Sequence, residues 1–91
     1  MTEQYKIELP QQFTIATAMA VSEKMFESLK SGCKEVVIQG ERVDRADAAA
    51  IQLLCSFAKT ANEEHMDFKY ANPSESLKKS FGILGMSLYL E

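Results

Sequence analysis

Residues 35–64 read EVVIQGERVDRADAAAIQLLCSFAKTANEE, and three changes of pattern inside this stretch decide the fold. Val36-Val37-Ile38 is an unbroken β-branched run between Glu35 and Gly40, the pattern of a central strand covered on both faces. Glu41 to Asp47 then places five charges in seven positions, which predicts a polar, exposed link. From Ala48 the period changes again. Ala50, Leu53, Leu54, Phe57 and Ala61 recur at helical spacing, with Ile51, Cys55 and Ala58 widening the stripe, so a helix over about 48–64 packs its broad apolar side on the sheet.

The flanks repeat this strand-then-helix order. Tyr5, Ile7 and Leu9 alternate with Lys6 and Glu8, predicting a half-buried strand near an edge that Pro10 closes, because proline cannot donate to a ladder. Ile15, Ala18, Val21, Met25 and Leu29 form one stripe of a helix running from about Thr14 to Ser31-Gly32. On the other side, Met66, Phe68 and Tyr70 alternate with Asp67 and Lys69 as a third strand. Asn72-Pro73-Ser74-Glu75 then supplies an N-cap, a proline at the first helical position and a glutamate at the third. Leu77, Phe81 and Leu84 give that last helix its buried face before Gly85 stops it, and the apolar tail Met86–Leu90 fits either a short strand or an extended end. Strand and helix alternating three times imply parallel pairing by right-handed crossovers. The expected fold is an α/β single domain over residues 1–91, with helices packed on a central, mostly parallel or mixed β-sheet.

Composition removes several function classes. The chain has 91 residues, 46% hydrophobic and 25% charged, with 13 acidic against 10 basic side chains and a net charge of −3. No basic excess is available to neutralise phosphates, which speaks against nucleic acid and anionic lipid surfaces as partners. The longest charge-free stretch, Leu9 to Ser22, falls short of the roughly 18–20 apolar residues of a membrane span, so no direct membrane insertion is expected. The acidic start, with Glu3 and Glu8, lacks the basic and apolar regions of a secretion signal, and the expected compartment is cytoplasmic.

Catalytic and metal chemistry find little to work with. Cys33 and Cys55 have no CxxC or histidine spacing around them and read as reduced structural thiols. His65 is the only histidine and sits at a predicted helix-to-strand turn among charges, where it reads as solvated rather than as a base. Gly32, Gly40, Gly82 and Gly85 are isolated and build no phosphate loop. Glu63-Glu64 and the pair Asp44 and Asp47 read as solvent-facing or capping carboxylates, and Met19, Met25, Met66 and Met86 as core filling. The sequence implies no cofactor, no metal and no enzyme activity.

One stretch has a function-like shape. In Val43-Asp44-Arg45-Ala46-Asp47-Ala48-Ala49-Ala50-Ile51, Asp47 is a natural N-cap, and behind it lie the first N–H groups of the second helix. Two uses are open: an external carboxylate or phosphate docking there, or plain capping by Asp47 with small alanines letting the helix approach the sheet.

The same residues, continued through Gln52-Leu53-Leu54, resemble the signature of STAS domains, in which a strand and polar turn lead into Asp-(Ser/Thr)-(Ser/Ala)-Gly-Leu at a helix start. Ile7-Glu8-Leu9-Pro10 through Phe13, the Val36-Val37-Ile38 strand, and Asn72-Pro73-Ser74 through Leu84-Gly85-Met86 follow in the order seen in that family, so the likeness covers nearly the whole chain. Anti-sigma-factor antagonists belong to this family, as do the small STAS proteins of bacterial Mla phospholipid-transport systems, to which the chain is closer in length.

The resemblance implies a non-enzymatic regulatory module like an anti-sigma-factor antagonist, binding a protein partner through the turn and helix after the signature; the alternative it offers is an accessory subunit of a phospholipid-transport ABC system or an adaptor in a chemosensory complex. The implied partner is an anti-sigma or kinase-type regulator, a transporter ATPase subunit or another signalling protein, as in a chemosensory complex; it leaves the oligomeric state open. In antagonists, phosphorylation two residues after the aspartate ejects the partner, because a phosphate brings about −1.5 to −2 charge to the interface. Here that position is Ala49, flanked by Ala48 and Ala50, so the resemblance implies a degenerate phosphorylation position and a lost switch. The expected contact surface comprises Arg42, Val43, Asp44, Arg45, Asp47, Ala48, Ala49, Ile51 and Gln52. In it Arg42, Asp44 and Arg45 supply rim charges, Ala48 and Ala49 lie flat against the partner, and Asp47 holds the loop in shape.

Overall fold

A computed structural model describes residues 4–85. Its centre is the β-branched run: β3 (Glu35–Gln39) lies between β1 (Gln4–Glu8) and β5 (Asp67–Ala71), and both pairings are parallel. The register sets Ile7, Ile38 and Tyr70 side by side on one face, and Lys6, Val37 and Lys69 side by side on the other. Helices α1 (Ile15–Lys30) and α2 (Ala48–Glu63) are the two crossovers, pack against each other, and cover the first face. The second face is polar and exposed at Lys6, Glu8 and Lys69, so among the described residues β3 is not covered on both faces as its β-branched run predicts; the helices lie on one side. On that polar face the one β-branched residue, Val37, is nevertheless buried, flanked by the aliphatic stems of Lys6 and Lys69. A lysine on the edge strand β5 is anchored there, Lys69 Nζ lying 2.8 Å from Glu35 Oε2.

The core joins Ile7, Leu9, Phe13, Ile38, Ile51 and Leu54 with Leu77 and Phe81 of α3 (Glu75–Ile83). A ladder of edge-to-face rings, Phe57 to Phe68 to Tyr70 to Phe81, ties α2, β5 and α3 together at centroid distances of 5.5, 5.1 and 5.9 Å. The fold is α/β with a central parallel sheet, as the alternation of periods predicts.

Several expectations change. The link 41–47 is not uniformly exposed: Val43 is buried, and Arg45–Ala46 form a short strand, β4, parallel to β2 (Gln12–Phe13). A two-residue strand among charges leaves no period to read. The cap of α3 is Ser74, not Asn72. Ser74 Oγ accepts the Leu77 N–H at 3.0 Å, while Asn72 sits at φ 49° and turns the chain out of β5. Ile15 and Met19 do not fill the core; they are 68% and 72% exposed. Helical spacing alone does not distinguish a stripe facing the sheet from one at the edge of the helix pair. Met25 and Met66 are buried as expected, whereas Met86 and the tail lie outside the described residues.

Candidate functional site

The three loops at the C-terminal ends of β1, β3 and β5 are bonded into one platform. Gly40 N–H donates to Ala71 O at 3.1 Å, and Gly40 O accepts from Ser74 N–H at 3.0 Å. Ser74 Oγ donates to Val43 O at 2.6 Å. Gln11 O accepts the backbone N–H groups of Asp44 and Arg45 at 2.8 and 3.2 Å, and the Gln11 side-chain amide donates to the Asp44 carboxylate. The residues singled out from sequence stand on this platform.

Asp47 organises its centre. Its Oδ1 accepts the Ala50 N–H at 2.9 Å and so caps α2, as expected. Its Oδ2 accepts the Ile15 N–H, also at 2.9 Å, and Ile15 is the first residue of α1. One carboxylate thus satisfies an orphan donor from each of two helices and sits at the positive ends of both dipoles. The Ala50 N–H, and after it the Ile15 N–H, hold the Asp47 carboxyl below its ordinary pKa. This negative charge occupies the position where an external anion would dock, so the capping use of Asp47 is the one realised.

Around Asp47 the expected surface divides in two. Arg42, Asp44, Arg45, Ala48, Ala49 and Gln52 are exposed. Arg42 reaches back to Glu8 at 3.3 Å, an exposed pair that positions the guanidinium more than it stabilises the fold. Val43 and Ile51, by contrast, are only 1% and 0% exposed and belong to the core beneath the platform, so they shape the surface without lining it. Val43 points inward because the loop that carries it is itself a strand-like layer over α3, where Ser80 Oγ donates to Ala46 O at 3.4 Å. Ala50, which stands where the signature has glycine, is fully buried.

The sequence reading missed Gln11 and Ser74 as ties of the platform. Their signal is weak, since each is one polar residue in a polar loop and its partner lies about thirty residues away. It also missed that Ile15 stands beside the start of α2, its N–H held by Asp47.

A family model described as Mlab, STAS domain matches residues 2–90. The chain belongs to the STAS domain family. No curated protein matches it. STAS domains are regulatory and binding modules, generally non-enzymatic, that typically mediate protein–protein interactions. No helix among the described residues is long and apolar enough to cross a membrane.

Proposed function

We propose that this STAS chain is a constitutive docking subunit that binds the ATPase subunit of an Mla-type phospholipid transporter through the start of α2. The observation that carries the reading is the pair Ala48 and Ala49, exposed at a helix start fixed by Asp47 and offering no hydroxyl for phosphorylation. A partner seated there meets two methyl groups, with Arg42, Asp44 and Arg45 as a mixed-charge rim that guides approach and register. The Mlab description of the matching family model favours a transport accessory over a sigma regulator. The order of residues in Val43–Leu54 supports the second reading, an antagonist-like module locked in its unphosphorylated form.

Affinity capture of the tagged chain from its native lysate, with Ala49→Asp in parallel, tests the proposal, followed by reconstitution with the captured ATPase subunit. The expected result is retention of that subunit by the wild type and a loss of about tenfold or more in affinity for the variant, as befits an unpaired charge buried at an interface. The melting midpoint should not move, because position 49 is exposed. Recovery of a kinase-type regulator instead would move the assignment to the antagonist reading, and equal binding by both forms would remove the α2 start from the interface.

A further inference from the structure

Among the described residues β1 is an edge strand, paired with β3 alone. The bond from Leu9 N–H to Gln39 O fixes the parity of its backbone. Successive residues of a strand turn their N–H and C=O groups to opposite sides, so Tyr5, Ile7 and Leu9 bond to β3 while Lys6 and Glu8 present theirs to the free edge. The geometry of such a row is matched by another extended backbone, whatever face of the sheet is covered.

A trough runs along the same edge. α1 packs over β1 and β2, and between its flank and the end of β1 lies a recess of about 540 Å³ floored by Pro10, Ala16, Ala20 and Val21. Lys24 bounds it and also lines a second recess, of about 310 Å³, beside Tyr5 and Lys6. Together the two follow β1, and the larger lies within the roughly 300–1,000 Å³ of clefts that hold ligands.

Charge and space select the occupant. Glu8 is paired with Arg42, and Glu27 accepts from the Tyr5 hydroxyl, whereas Lys6 and Lys24 are in no ion pair among the described residues. The edge of a chain whose net charge is −3 is therefore locally basic, which suits an acidic segment. A second copy does not fit. Paired strands lie about 4.8 Å apart, so joining two β1 edges would set both α1 helices, each over its own β1, closer than the roughly 8–10 Å that packed helices need. The room is for a bare strand.

We infer that β1 is a docking edge for an extended acidic segment of another protein, which adds to the sheet as a further strand bonded to the Lys6 and Glu8 backbone. Its alternate residues are apolar and lie on Ala16, Ala20 and Val21, and a carboxylate meets Lys24. The inference goes beyond the proposed docking at the α2 start and does not rest on it.

The probe is a capped synthetic peptide of about seven residues, the length of an ordinary strand, alternating valine with glutamate. Titrated into the whole chain and followed by amide NMR, it should bind with a Kd between about 10 µM and 1 mM, the range left by a few main-chain bonds and one ion pair after the cost of ordering. In the complex, hydrogen exchange at the Lys6 and Glu8 N–H groups should slow by about tenfold or more, while Tyr5 and Ile7, already turned to β3, should not change. Lys24→Glu should weaken binding by about fivefold or more with an unchanged melting midpoint, because the position is exposed. A counterpart peptide with proline at alternate positions should not bind, since proline cannot donate to a ladder. No binding at about 1 mM peptide, or binding that leaves exchange at Lys6 and Glu8 as it was, would overturn the inference. Equal affinity for the proline counterpart would overturn it by removing the added strand, and equal affinity of Lys24→Glu by removing the trough.

Discussion

The two ends of the parallel sheet are built by different means. At the C-terminal ends of the strands the loops hold one another: Gly40 to Ala71 and Ser74, Val43 to Ser74, Gln11 to Asp44, and Asp47 to Ile15 are bonds between segments about thirty residues apart. At the N-terminal ends the turns are mostly closed by their own neighbours. Ser31 N–H returns to Glu27 O, His65 N–H to Asn62 O and Met66 N–H to Ala61 O; Asp67 N–H to Lys34 O is a longer tie. Those turns use left-handed backbone, with φ 76° at Gly32 and 60° at His65, a device the other end uses once, at Asn72 with φ 49°. A surface that must keep its shape against a partner belongs on the end whose loops cannot move singly, and the docking surface proposed above at the start of α2 lies on that end.

The largest way to break this contrast is to remove the plug under the C-terminal platform. Leu77 is fully buried and lies directly beneath Gly40. Leu77→Ala should cost about 2–5 kcal/mol in denaturant unfolding, as a buried leucine truncation does, and it should loosen hydrogen-exchange protection at residues 40–47 before it affects 31–34. Uniform loosening of both ends would show that the platform is no separate unit.

Gly40→Ala comes next. A Cβ at position 40 would meet Leu77 Cδ2 at 2.6 Å and the Pro73 Cα at 3.3 Å, so the substitution should cost about 1–3 kcal/mol through overpacking. The cost has a specific remedy: with Leu77→Ala the nearer obstacle is gone, and the double variant should be more stable than the sum of the single effects allows. Additive losses would mean that Gly40 serves something other than close approach.

Asp47→Asn should lower the melting midpoint at neutral pH by several degrees, because the amide keeps a hydrogen-bonding oxygen but loses the charge that both helix starts favour. The sign with pH follows from the direction of the shift. The folded Asp47 pKa lies below that of the unfolded chain, about 3.9, so the carboxylate's contribution is fully present above about pH 4 and fades as pH falls through the lower folded value. The gap between wild type and variant should therefore close on acidification. A gap that does not narrow at all as pH falls below about 4 would assign the effect to packing.

Much of this architecture was legible because it repeats a period. The runs at 36–38 and 48–61 have only one comfortable structure each, and the alternation of types then leaves a parallel sheet as the way to connect them. Asp47 was legible as a cap for α2 because capping is local, within three residues. Its second bond, to Ile15, was not, since nothing in either segment names a partner 32 positions away. Val43 shows the same limit from the other side: one apolar residue among charges reads as surface, although in the fold it is buried in the core cluster and its carbonyl is held by Ser74. Ile15 and Met19 were assigned to the core because spacing reports which residues share a face and not what that face meets.

The smallest prediction sharpens the comparison by making one substitution at both ends. Gly32, at the N-terminal end, has open space where a Cβ would stand but a φ of 76° that side chains rarely adopt. Gly32→Ala should therefore cost about 1 kcal/mol from backbone strain, offset in part by the stiffer unfolded chain. No neighbouring truncation should restore it, because nothing is in the way. Gly32→Asn should instead recover most of the loss, since asparagine tolerates left-handed backbone, and the same change at Gly40 should be worse than alanine, since there the obstacle is volume. If asparagine fails at position 32 as badly as alanine does, dihedral strain is not what holds that turn, and the division between a sterically locked end and a conformationally closed end loses its physical basis.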